Sequence, residues 1–495
     1  LRILQASSEV FPYSKSGGLA DVVGALSCAL ADTGHRVGVV TPLYKWIFEK
    51  HPDLYRFDYS LEISLAGRFV QAEVWVLEPQ ENLTLYFIHC PHLYFRNSYY
   101  QENGQDYSDN AERFVFFSKC IEHLARYLTW KPEVVHCHDW QTALVPLLFR
   151  EAVIHRDWQD VPVCCYTIHN LAYQGIFPAD VMDIIEIGPE YWSVEGLEFY
   201  GKCNLMKAGL LYADLITTVS PRYALEILTE EYGCGLEGVI QDRSDRLVGI
   251  LNGVDYREWK TKKNPFLDVS YHLKSMKGKG VLKLKLQATY GLPQDKGIPL
   301  FAVVSRLVLQ KGVDILLESL EILLAVHRFQ FVLLGTGMPE FEQRFRLLQE
   351  KYPDQVSINI GFENALSHQI EAGSDFFLMP SRFEPCGLNQ IYSQRYGSIP
   401  VVRRTGGLDD SVIDISDEPD LATGLKFKQY DTEALSAVIV KALDLYRTPV
   451  AFRKIRANGM RADFSWEKTC QLYVNQYEKM NPTRALPISE ESDVR

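Results

Sequence analysis

Long apolar runs are missing from this 495-residue chain, and none approaches the roughly 18–20 residues needed to cross a bilayer as a helix. An excess of basic residues is missing too. Lys plus Arg number 51 against 63 Asp plus Glu, a net charge of −12. That balance excludes a broad cationic face for nucleic acid and a polybasic membrane anchor. Cysteine is sparse at ten residues and no CxxC pair occurs, so no disulfide scaffold is expected. Several cysteines sit in apolar runs, such as Cys164-Cys165, and read as buried free thiols of an intracellular protein. Asp-x-Asp occurs nowhere, so no carboxylate pair offers itself to a metal–diphosphate. The chain opens Leu1-Arg2-Ile3-Leu4, without Met, and turns polar at Gln5. No signal peptide is visible there, and a targeting segment removed upstream would leave no trace.

What the sequence does contain is ample core. Hydrophobic residues make up 47% and charged ones 23%, the profile of a globular protein. At about 150 residues per domain the length suits roughly three domains, or two large α/β ones. A strand, a glycine-rich or polar loop and an amphipathic helix recur many times. In the first copy Ile3-Leu4 begin a strand and Ser14–Gly18 form the loop. Leu19, Val22, Val23, Leu26 and Leu30 then mark a helix, which Gly34 ends. Val37–Val40, 134–137, 163–168, 215–219 and 248–251 read as further strands. A second series follows at 301–305, 331–335, 357–361, 375–379 and 400–403. Near-continuous apolar strands predict parallel sheets covered on both faces, hence an α/β protein of two Rossmann-like domains facing across a deep cleft. We expect domains at 1–255 and 256–463, a helix within 464–481 crossing back to the first, and a disordered tail at 482–495. The Lys-rich interval from Asp255 to Pro299 reads as a solvated connector and the entry to the second domain.

Several strand-end loops could carry chemistry. Lys15-Ser16-Gly17-Gly18 offers backbone N–H groups, a helix start and a cation to an anion, though the same residues also suit a tight turn. It matches neither the phosphate loop GxxxxGK[ST] nor the dinucleotide fingerprint. Arg404-Thr405-Gly406-Gly407-Leu408 echoes it in the second half. Arg306 and Lys311 follow an apolar strand and could clamp a diphosphate, or be plain surface cations. Glu384, in Ser381-Arg382-Phe383-Glu384-Pro385-Cys386-Gly387, could bind sugar hydroxyls or stabilise a cationic transition state; Cys386 reads as a small buried residue rather than a nucleophile. His136-Cys137-His138-Asp139 would put two imidazoles on one face only if the strand runs through them. With no second ligand cluster, no metal is expected.

The segments LRILQASSEVFPYSKSGGLADVVGAL, HCHDWQTALVP, YTIHNLAYQG, GILNGVD, VSRLVLQKGVDIL, SRFEPCGLNQIYSQRYG and PVVRRTGGL together resemble the bacterial glycogen synthase and plant starch synthase family. The matches run in order from Leu1 to about Trp466. The resemblance implies a GT-B glycosyltransferase that moves glucose from ADP-glucose to the non-reducing end of an α-1,4-glucan or malto-oligosaccharide. Configuration would be retained, without cofactor or metal, in a bacterial cytoplasm or a plastid. It implies catalytic roles for Lys15, His169, Arg306, Lys311 and Glu384. Gly17, Gly18, Asp21, Asp139, Asn252, Cys386, Thr405, Gly406 and Gly407 would line the donor. Phe362 would stack on adenine, and Gly387, Leu388 and Asn389 would open the helix facing phosphate. Ser16 and Asn389 stand where the family often has Thr. Tyr392 stands where wider retaining GT-B enzymes have a second Glu. A UDP-glucose enzyme and a weak glucan-priming or glucan-binding protein are the alternatives. A phosphorylase would need a Schiff-base lysine, for which no motif speaks. Whether retention comes by a covalent intermediate or by same-face attack stays open.

Overall fold

The computed structural model describes residues 1–155, 158 and 160–480; the proposed disordered tail lies outside the described residues. Two compact units emerge. One comprises Leu1–Val219, Ala224–Ile250 and the helix Trp466–Met480; the other comprises Ser220–Tyr223 and Leu251–Ser465.

The first unit is built on a nine-stranded sheet. Its order across the sheet is Leu247–Gly249, Leu215–Thr218, Val163–Ile168, Val134–His138, Arg2–Ala6, Arg36–Pro42, Leu83–His89, Arg68–Gln80 and Tyr55–Leu65. Seven of these strands run parallel. Buried Ile3, Leu4, Val39, Val40, Val134, Val135 and Ile168 leave no solvent-exposed face on the central ones, as a sheet covered on both sides requires. The last two strands are antiparallel, which departs from the all-parallel expectation. Their sequence alternates: Leu61, Ile63 and Leu65 are buried while Glu62 and Ser64 face water. Ala66 and Gly67, both at positive φ, turn the hairpin. An alternating pattern of this kind suits a sheet with one wet face. The helix Trp466–Met480 buries Trp466, Cys470, Tyr473, Val474 and Tyr477 at helical spacing and packs on the helix Gly18–Asp32.

The second unit has a six-stranded, wholly parallel sheet in the order Val356–Ile360, Gln330–Gly335, Leu300–Val304, Phe376–Met379, Ile399–Arg403 and Leu425–Phe427. The interval read as a solvated connector contains the helix Lys277–Thr289. Two of its lysines are buried. Lys283 Nζ lies 2.6 Å from Asp375 Oδ2, and Lys279 Nζ donates to the Glu371 and Ala372 carbonyls. Arg456 closes on the other Asp375 oxygen at 3.3 Å. Lys283 is there because the carboxylate is: a buried Asp375 needs a cation, and a four-carbon stem reaches it through an apolar layer. No described helix is long and apolar enough to cross a membrane.

Candidate active site

In the second unit the candidate residues cluster at the carboxyl ends of adjacent strands. After Leu300–Val304 the chain makes a single turn, Leu309–Lys311, and enters a helix at Gly312. Gly312 has φ 71°, and any Cβ there would strike the Pro380 carbonyl. That close approach lets Arg382 N–H donate to Gln310 O at 2.8 Å and brings Lys311 Nζ to 2.6 Å from Glu384 Oε2. Ser381 Oγ donates to the same oxygen at 3.0 Å. The Glu384 side chain is 7% exposed and that of Lys311 is 19% exposed, so the pair is shielded but reachable. Arg306 stands exposed beside them in sequence.

The Gly406-Gly407 pair holds two loops together. Gly407 N–H donates to the Glu384 and Pro385 carbonyls, and a side chain at Gly406 or Gly407 would collide with the carbonyls of Glu384 or Cys386. These glycines clamp one loop onto another, with buried Thr405 at the helix entry. Gly387, at φ 69°, turns the chain into the helix Asn389–Tyr396, whose N-cap is Leu388. Cys386 is buried, and burial pushes its thiol up to about 12, which makes it inert. Asn252 lies against its sulfur. Phe362 is 76% exposed, an apolar ring presented to solvent.

In the first unit Gly17 and Gly18 are exposed, and no atom outside their immediate neighbours would touch a Cβ placed on either. Here the missing side chains leave open room above a helix N-terminus, the condition for a ligand to approach closely. Lys15 Nζ pairs with Asp21 Oδ1 at 2.8 Å and lies over the Phe11 ring. The loop is anchored from beneath by residues the sequence reading passed over. Buried Glu9 accepts from the Ser16 main chain, from Ser16 Oγ at 2.6 Å and from Tyr100 OH at 2.5 Å, and Tyr99 OH accepts from Lys15 N at 2.7 Å. A lone acid between Ser7-Ser8 and Val10-Phe11, just after an apolar strand, was the one available signal.

The strand Val134–His138 does run through its second histidine, so His136 and His138 share a face with ring centroids 4.1 Å apart. Their nitrogens are occupied by protein: Thr167 and Tyr477 at His136, Gln5 and His169 at His138. Among the described residues, no three His, Cys, Asp or Glu side chains converge as a metal site. Asp139 follows at φ 55°, ψ −175°, a conformation that glycine alone adopts without strain. The strained turn aims its carboxylate at the neighbouring strand end, where Oδ1 accepts from His169 N at 2.8 Å. Burial raises the Asp139 pKa to about 7, against the pull of main-chain N–H groups of His169 and Asn170. His169 is therefore held twice, by its main chain through Asp139 and by its ring through His138.

A family model described as starch synthase catalytic domain matches residues 2–242, and one described as glycosyl transferases group 1 matches residues 290–458. The glycogen synthase of Thioalkalivibrio sulfidiphilus is 44% identical, over 97% of this chain and 100% of its own; that of Koribacter versatilis is 42% identical, over 99% and 100%. The chain belongs to the glycogen and starch synthase family. The catalytic domain of starch synthase IV from Arabidopsis thaliana, solved bound to ADP and acarbose, superposes with a TM-score of 0.88 at 32% identity, covering 97% of this chain and 99% of that one. Sucrose-phosphate synthase from Thermosynechococcus elongatus, at 18% identity and a TM-score of 0.60, shares the GT-B fold alone.

Against that family pattern, Ser16 keeps its hydroxyl in use on Glu9, and Asn389 Nδ2 donates to the Val304 carbonyl at 2.7 Å, tying the helix start to a strand end. Tyr392, where wider GT-B enzymes carry a second acid, stacks on Trp259 with centroids 3.5 Å apart. An acid there would replace an aromatic stack by a desolvated charge.

Proposed function

We propose that this glucan-elongating glycosyltransferase takes its glucose from ADP-glucose, adds it to the non-reducing end of an α-1,4-glucan and retains the anomeric configuration. The observation that carries the reading is the shielded Lys311–Glu384 contact at the strand ends of a parallel sheet, in a chain matched along its whole length to glycogen synthases. As the bond from glucose C1 to the diphosphate stretches, positive charge grows on the sugar and negative charge on the leaving group. Lys311 spends one of its three N–H donors on Glu384 and keeps others for a diphosphate oxygen. Exposed Arg306 adds a forked donor, and the helix opened by Gly387, Leu388 and Asn389 adds its N-terminal dipole. These groups interact more strongly with the separated charges than with the intact donor, which is the requirement for catalysis. Glu384 stabilises the sugar cation. The open face of Phe362 receives adenine. In the first unit the Lys15-Ser16-Gly17-Gly18 loop receives diphosphate oxygens, and Asp21, Asp139 and His169 accept from sugar hydroxyls. The Arabidopsis relative's ADP supports the choice of nucleotide.

The test is incorporation of radiolabelled glucose into glycogen from ADP-glucose and, in parallel, from UDP-glucose. Higher kcat/KM with ADP-glucose is expected. Equal or better use of UDP-glucose would overturn the donor assignment, and no incorporation from either would overturn the activity.

A further inference from the structure

We propose that His138 and Gln5 are positioning residues that hold His169 in one neutral tautomer, protonated at Nε2, so that Nδ1 is its acceptor for a substrate hydroxyl. The proposal rests on the reading of His169 as part of the sugar site.

A buried chain of contacts leads to His169. Gln5 Oε1 lies 2.7 Å from His138 Nε2, and His138 Nδ1 lies 2.9 Å from His169 Nε2. On the far side of Gln5, the Tyr477 hydroxyl lies 2.7 Å from His136 Nδ1, and His136 Nε2 lies 2.5 Å from Thr167 Oγ1. His136, His138 and Gln5 are wholly buried. Burial lowers the pKa of all three histidines, to about 3 at His136. Each ring is then neutral at ordinary pH, with one donor and one acceptor.

That restriction makes the chain directional. An amide oxygen only accepts, so His138 must carry its proton on Nε2 and present a lone pair at Nδ1. His169 must then donate from Nε2, which leaves Nδ1 as its acceptor. A reversed Gln5 amide would reverse every link. One chemical preference opposes the reversal. With its oxygen on His138, Gln5 turns its amide nitrogen toward the Tyr477 hydroxyl, which can accept as well as donate. In that orientation Tyr477 donates to His136 Nδ1, so all three rings take the Nε2–H form, the more stable neutral tautomer of histidine in water. Reversal would force all three into the other.

The test is two-bond nitrogen–proton NMR on the full chain carrying nitrogen-15 histidine, with the His169 signals identified by their loss in His169→Gln. We expect the neutral Nε2–H pattern at His169. His138→Phe keeps the ring and removes both nitrogens. It should give His169 a mixture of tautomers and lower kcat at saturating donor about tenfold, with KM little changed. His138→Asn, whose Oδ1 falls near the place of Nδ1, should restore the Nε2–H form and most of the rate. An Nδ1–H pattern at His169 in the unaltered protein would overturn the proposal, as would an unchanged tautomer and kcat in His138→Phe. If that variant does not fold, the unaltered protein's spectrum decides alone. Full activity in His169→Gln would remove the sugar-site role and leave the tautomer result standing.

Discussion

Replacing Lys311 by alanine should do two separable things. It withdraws a cation from the leaving diphosphate, and it strips Glu384 of its partner at 2.6 Å, leaving Ser381 Oγ as the remaining hydrogen bond to that oxygen. Loss of one such contact to developing charge is worth roughly 3–4 kcal/mol, so turnover at saturating donor should fall about 100- to 1000-fold. Breaking a buried pair costs about 3–5 kcal/mol of stability. With the lysine 19% exposed, water repays part of this, and the low end, about 3 kcal/mol, is expected. The double variant Lys311→Ala with Glu384→Gln separates the two effects. Removing the orphaned charge should recover most of the stability in urea unfolding, because the amide needs no cation. It should recover none of the rate in the glucose-incorporation assay. Turnover of Lys311→Ala within a few-fold of the parent would refute the reasoning. So would a double variant that regained turnover along with stability, since Lys311 would then serve only to neutralise Glu384.

Gly407→Ala should destabilise by about 1–3 kcal/mol, because its methyl meets the Cys386 carbonyl, whereas Gly17→Ala should leave the melting temperature nearly unchanged and raise the donor KM. Thermal melts beside donor titrations check both. Asp139 titrates near 7 when folded and near 3.8 when unfolded. Between those values the folded state holds the extra proton, so stability falls as pH rises through that window, by an order of 2 kcal/mol after allowance for partial exposure. Urea unfolding from pH 4 to 7 should show this slope, and Asp139→Asn should flatten it. Asp375→Asn strands Lys283 and weakens the hold on Arg456, which should cost about 3–5 kcal/mol while leaving kcat of the folded fraction intact. Denaturation and turnover measured on one preparation would show whether the two separate.

Much of the fold was legible because its signals are local. Apolar strands of five or six residues, glycine-bearing loops and the helical stripe from Leu19 to Leu30 each declare themselves within one element. The hairpin formed by Tyr55–Leu65 and Arg68–Gln80 carried its alternation openly, but an all-parallel expectation passed over it. The helix Lys277–Thr289 hid for a physical reason. Lys279 and Lys283 occupy core positions, and a hydropathy pattern scores a buried, paired lysine as a solvated one.

The candidate site divides along the same line. The sequence determined by itself which loops sit at strand ends and which residue types they bring: Lys15, Arg306, Lys311, Glu384 and His169 all follow apolar strands. Only the tertiary structure decided which partner each side chain takes. It put Lys311 on Glu384, used Gly406 and Gly407 as a clamp between loops, set Glu9 beneath the Lys15 loop, and brought Tyr477 to His136 across 341 residues. Periodicity records the exposure of an element's own faces. The choice of a hydrogen-bond partner depends on which distant strand or helix packs alongside, and no local pattern encodes that.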